Sequence, residues 1–191
     1  MLALLLAPGA GSSRDHSALL AMDRAVTAGG GVVRRMDFPY RLAGRRAPDR
    51  PAVLIAAVAQ EAASLAAETA LPPERIYLGG RSMGGRMCSM TVADGLPAAG
   101  LVLVSYPLHP PGRPEQLRTE HFGRLHLPCL FVSGTRDNFA TPAELEAAVP
   151  AIPGPVTVRW LEGGDHGLRR RDEDVAEHVA GWLASRGVAS P

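Results

Sequence analysis

The sequence is poor in aromatic residues, in cysteine and in net charge, and each shortage removes a class of function. Phe, Trp and Tyr together make up 5% of the chain, too few for a surface that grips nucleic acid by stacking on its bases. Formal net charge is +1, with arginines and acids interspersed. No global field steers a polyanion, and no nucleic-acid partner is expected. The two cysteines, Cys88 and Cys129, stand in no CxxC or zinc-ligand cluster. Each falls in an apolar run and reads as a buried free thiol in a reducing, cytoplasmic compartment. Neither a metal nor an organic cofactor is implied. The apolar run 2–7 lacks a basic flank and is far shorter than a membrane span, so it reads as a strand, and no membrane partner is expected.

What remains is an ordinary globular balance. Hydrophobic residues make up 46% and charged residues 20% of 191 residues, enough for one domain over 1–191 with a core that needs no disulfide or metal. Strand-like and helix-like periods alternate. Continuous apolar runs at 2–7, 32–38, 75–78, 101–106, 127–132 and 156–161 predict about six strands. Helical spacing predicts helices at 17–26, 52–69, 83–93 and 143–149, with a last one carrying Val175, Val179, Trp182 and Leu183 on one face and stopping near Gly187. The stretches 39–51 and 107–128 read as loops, the second long enough to be functional. Such alternation predicts an α/β fold: a mostly parallel sheet with helices on both faces. Ligands of such sheets sit beyond the carboxyl ends of the strands.

Chemistry-bearing residues fall at those ends. Gly80-Arg81-Ser82-Met83-Gly84 fits G-x-S-x-G, a weak pattern alone, but here it lies between a strand and a helix, where a nucleophile elbow belongs. A hydroxyl needs a base. His166, in Gly163-Gly164-Asp165-His166-Gly167, follows the last strand, and His109 after the fourth strand is its competitor. An acid must orient the imidazole. Asp137 follows the fifth strand and is preferred to Asp165, whose side chain neighbours His166 on a turn. The oxyanion donors expected are the Met83 N–H and one from the Pro8-Gly9-Ala10-Gly11 loop, Ala10 first and Gly11 second. Arg81 and Arg86 flank the elbow and suit either a substrate carboxylate or a structural role. Gly11, Arg81 and His109 are thus candidates for substrate contact. Met83, Met87 and Met90, at near-helical spacing, read as core.

On Ser82, Asp137, His166 and the 8–11 loop the chain resembles the α/β-hydrolase superfamily. "GGRSMGGR", "SYPLHPPGRPEQLRTEH", "LFVSGTRD" and "EGGDHGL" are similar to small dienelactone-hydrolase-like proteins, and most similar to the branch that also occurs in testis-expressed proteins and in a chromatin acetyltransferase subunit. The resemblance spans nearly the whole chain. It implies an acyl-enzyme serine hydrolase acting on an ester or thioester of a small substrate, as a monomer or homodimer. The chromatin-associated relatives imply an alternative, a non-catalytic interaction module. Three departures stand out. Pro8 replaces the His that many relatives carry before the glycine. Ser82 replaces the Cys of dienelactone hydrolases proper, so their substrate does not transfer. The sequence opens at what is normally the third strand, which leaves either a minimal hydrolase without a cap domain or a start that lies upstream.

Overall fold

Successive side chains of the first strand, β1 (Ala3–Ala7), are buried on opposite faces of one sheet. Leu4 and Leu6 join one core, while Ala3, Leu5 and Ala7 join the other. That is why the run reads as unbroken apolar sequence: a parallel strand covered on both sides has no polar face to show. The computed structural model describes residues 1–187. Its sheet contains β1, β2 (Val32–Arg35), β3 (Ile76–Arg81), β4 (Gly100–Val104), β5 (Cys129–Gly134) and β6 (Val156–Leu161). The order is β2-β1-β3-β4-β5-β6 and every neighbouring pair is parallel.

Six helices connect or flank the strands: α1 (Ser17–Ala28), α2 (Pro39–Leu42), α3 (Pro51–Thr69), α4 (Met83–Ala93), α5 (Pro142–Ala148) and α6 (Asp172–Gly187). The buried faces of α1 (Leu19, Met22, Val26) and α6 (Val175, Val179, Leu183) close one side of the sheet. Those of α3 (Leu54, Val58, Leu65), α4 (Met87, Cys88, Val92) and α5 (Leu145) close the other. The result is an all-parallel α/β sheet covered on both faces, and no separate cap domain is inserted among the described residues. By length and mean hydropathy α3 is apolar enough to cross a membrane. Here Leu54, Val58, Ala62 and Leu65 are the stripe it buries in the core.

The chain order reverses between β1 and β3, which are direct neighbours, with Ala7 opposite Gly80. The loops that leave those two strands therefore part to opposite sides and open a crevice. Both glycines of the elbow are fixed by that closeness. A Cβ on Gly80 would sit 2.0 Å from the Ala7 carbonyl oxygen, and one on Gly84 would sit 2.2 Å from the same atom.

Several boundaries differ from expectation. β2 ends at Arg35 rather than Phe38, because Pro39 opens α2 within a stretch expected to be loop. β3 and β5 run on to Arg81 and Gly134. α6 is helical to Gly187, where its stop is expected, and the residues that follow lie outside those described. Cys88 and Cys129 are free and fully buried, and burial pushes both thiols up to about 12.

Candidate active site

Ser82 occupies the one residue between β3 and α4 and adopts φ 50°, ψ −120°. This is costly backbone for a residue with a Cβ, and such strain persists only where its surroundings enforce it. Here a hydrogen bond from Ser82 N–H to the Val104 carbonyl (2.8 Å) and one from Arg86 N–H to the Ser82 carbonyl (3.1 Å) hold the turn. The hydroxyl is thereby lifted off the sheet edge, 2.9 Å from His166 Nε2.

The other face of that imidazole is tied to an acid. His166 Nδ1 lies 3.0 and 2.9 Å from the two carboxylate oxygens of Asp137. Asp137 is 1% exposed, and its Oδ1 also accepts the Phe139 N–H at 2.8 Å. An ionised carboxylate accepts only, so Nδ1 carries the proton and Nε2 of the neutral ring accepts from the Ser82 hydroxyl. The loops bearing acid and base are knitted together. Arg136 N–H donates to the Gly164 carbonyl (2.8 Å) and Gly163 N–H to Thr135 Oγ1 (2.8 Å). Asp165 makes no hydrogen bond or ion pair with the imidazole of its neighbour, which goes to Asp137 instead.

The start of α4 and the 8–11 loop border the same space. Met83 is the first residue of α4, so its N–H has no partner within the helix and stands at the positive end of the helix dipole. Ser12 N–H donates to the Gly9 carbonyl (3.2 Å), making Ala10 and Gly11 the central residues of a turn in which Gly11 takes φ +73°. A turn with positive φ at its third residue asks for glycine there. A cavity of about 320 Å³ opens between Ala10, Ser82 and Met83 and is walled further by Pro107, Arg118 and Phe139. That is the lower end of the range for small-molecule sites.

Three residues expected at the substrate lie elsewhere. Gly11 is the outer residue of its turn and does not line the cavity. Arg81 turns back under the site, and its Nη2 donates to the His166 carbonyl at 2.8 Å. Burial lowers its pKa against the opposing pull of Asp137, Asp165 and Asp172. The bond to the His166 carbonyl makes Arg81 a brace of the His166 loop. His109, 4% exposed, is held by Glu144 (Nε2 to Oε2, 3.2 Å) and by the Pro110 carbonyl (Nδ1 to O, 2.7 Å). Its own N–H donates to the Phe139 carbonyl at 3.2 Å, which makes it a strut rather than a wall. The 107–128 connection does wall the cavity, through Pro107 and Arg118. Arg86, unlike Arg81, lines the cavity.

Two features escaped the sequence reading. Phe139 stacks on His166, and no spacing rule links a loop aromatic to a histidine in the next loop. Ser89 and His121 form a second Ser–His pair, Oγ to Nε2 2.8 Å, but one sealed in the core. Ser89 donates its hydroxyl proton to the Arg86 carbonyl (2.8 Å), so it accepts from His121 Nε2–H. Burial, then the Arg86 charge, pushes the His121 pKa down to about 4, and the ring is neutral at ordinary pH.

The family described as "Alpha/beta hydrolase domain" matches residues 1–185. Among solved structures, the chain is similar to an alpha-beta serine hydrolase homologue from Coxiella burnetii, 18% identical, TM-score 0.79, covering 95% of this chain and 85% of that one. It is also similar to a dienelactone hydrolase from Anabaena variabilis, 17% identical, TM-score 0.77, covering 97% and 86%. A third, Est1E from Butyrivibrio proteoclasticus, is 13% identical with TM-score 0.75, covering 97% and 88%. At these identities the likeness is one of fold.

Proposed function

Because the chain belongs to the alpha/beta hydrolase family, we propose that it cleaves an ester or thioester of a small substrate through an acyl-enzyme on Ser82. The observation that carries this reading is the unbroken line from Ser82 Oγ through His166 to a buried Asp137, each link at 2.9–3.0 Å. The Ser82 proton passes to His166 Nε2 as Oγ bonds to the carbonyl carbon. Asp137 holds the imidazole in the reactive tautomer and stabilises its charge. The N–H groups of Met83 and Ala10 receive the oxyanion, a contribution worth about 3–4 kcal/mol per donor where it has been removed. His166 then protonates the departing alcohol or thiol. A water, deprotonated by the same nitrogen, attacks the acyl carbon and releases the acid and free Ser82. The cavity volume and the missing cap favour short acyl groups over long-chain lipids.

The test is labelling by a fluorophosphonate probe together with turnover of short p-nitrophenyl esters. A mass adduct on the Ser82 peptide with ester turnover is expected. Neither adduct nor turnover would remove the hydrolase reading and return the chain to the non-catalytic alternative.

A further inference from the structure

The cavity beside Ser82 is lined by two arginines, neither of which is paired with an acid. Arg86 lies one helical turn beyond Ser82 on α4, and Arg118 arrives from the connection after β4. Among the described residues neither lies within 4.0 Å of a carboxylate oxygen, whereas seven other arginines do. Arg86 Nε is buried without a hydrogen-bond partner. The one acid in the lining, Asp49, is paired with Arg45 through Oδ1 (2.7 Å to Nη1), while its Oδ2 is buried without a hydrogen-bond partner.

The backbone that carries these two side chains is fixed from behind. Tyr106 donates its hydroxyl to the Arg118 carbonyl at 2.8 Å, and Arg118 N–H donates to the Leu108 carbonyl at 2.8 Å. Ser89 donates to the Arg86 carbonyl. The two charges also act on one another and on their surroundings: burial and the Arg86 charge lower the Arg118 pKa, and Arg86 depresses His121. Like charges brought together at a partly desolvated surface cost free energy unless an anion is there to share them.

We infer that Arg86 and Arg118 form an anion subsite in the Ser82 cavity, and that the substrate is a small ester or thioester carrying a carboxylate on its acyl part. Residues four apart on a helix lie about 5–6 Å apart at Cβ, so the carboxylate sits a few bonds from the scissile carbonyl, the span of a short dicarboxylic acid. The planar fork of Arg suits carboxylate recognition. The subsite rests on the hydrolase reading above, and its test separates the two.

The experiment compares mono-4-nitrophenyl glutarate with 4-nitrophenyl valerate, a neutral ester of the same chain length. The wild type is expected to favour the anionic ester at least tenfold in kcat/KM, with the preference shrinking at high salt. In Arg118→Met, and separately in Arg86→Met, the ratio of the two kcat/KM values should fall at least tenfold. Turnover of both esters without preference, or an equal loss on both in the variants, overturns the subsite and leaves the hydrolase reading standing. A second measurement needs no turnover. Calorimetry with the 4-nitroanilide of glutaric acid and that of valeric acid should show the charged ligand bound more tightly by the wild type, and the difference lost in Arg118→Met. Equal binding of the two anilides overturns the subsite even if no ester is cleaved.

Discussion

Phe139 lies flat on the imidazole of His166, ring centroids 3.9 Å apart and planes inclined by 24°. The same residue donates its N–H to Asp137 and accepts the N–H of His109 at its carbonyl. One loop thus holds the acid, covers the base and is itself braced. Stacked aromatic pairs contribute about 0.5–1.5 kcal/mol beyond their buried area. Phe139→Ala should therefore lower kcat/KM for a short ester by up to about tenfold, while Phe139→Leu, which keeps the cover but not the stack, should fall in between. Wild-type rates in Phe139→Ala would deny the ring a part in positioning His166.

The two candidate acids separate cleanly. Asp137→Asn replaces the carboxylate that receives His166 Nδ1–H and should cost around 10⁴-fold in kcat. Asp165 is not hydrogen-bonded to the imidazole, and Asp165→Asn should cost less than about tenfold. Steady-state kinetics on one ester decides it, and the reverse ranking would reassign the acid.

Ser82 makes an unusual stability prediction. Exchanging Gly for Ala ordinarily stabilises a compatible site by about 0.4–1 kcal/mol, but the sign inverts where φ is positive. At φ 50°, ψ −120°, Ser82→Gly should be more stable than Ser82→Ala by about 1 kcal/mol, or roughly 2–4 °C in Tm for a chain of this size. Both should lose probe labelling. A higher Tm for Ser82→Ala would mean that the elbow is unstrained.

Stability should fall on acidification through a group remote from Ser82. His121 is neutral in the fold with its pKa near 4, against an ordinary value of 6.5. Between those values the unfolded chain binds the extra proton. The contribution is complete above pH 6.5 and is lost as pH falls toward 4. At pH 5 the loss comes to about 2 kcal/mol at about 1.36 kcal/mol per unit. The neighbours that set the field, Arg86, Arg124, Glu120 and Asp94, are present in wild type and variant alike. Urea titrations at pH 7.5 and pH 5 should show the drop smaller by that amount in His121→Gln. The same drop in both proteins would place the acid sensitivity elsewhere.

The sequence and the structure agree where a local pattern carries the information. Six strands, five of the six helices and the line Ser82, Asp137, His166 all follow from runs of apolar residues, glycine turns and chain order. Strand ends were read short at Leu78 and Val132, because the glycines that extend β3 and β5 give no apolar signal; they are there for the backbones they let approach, Ala7 against Gly80 and Gly164 against Gly134. Arg81 and His109 stand at the sheet edge where the sequence puts them, but neither lines the cavity. Position along a strand is written in sequence, whereas the side a long side chain takes is decided by partners such as the His166 carbonyl and Glu144. Phe139, Ser89 and His121 were invisible for the same reason.

β1 lies between β2 and β3, with Ala3 opposite Val32 on one edge and Ile76 on the other. A polypeptide leaving the ribosome amino end first completes the β1–β2 pairing early but has no cover for the second edge until residue 76 and its followers emerge. Synthesis at about 5–20 residues per second leaves that edge open for some seconds. During that time an entirely apolar strand offers unpaired N–H and C=O groups to any neighbour. Nascent chains stalled before β3 should accordingly be the aggregating species in the cell and the ones that engage chaperones, while chains stalled just after it are already protected.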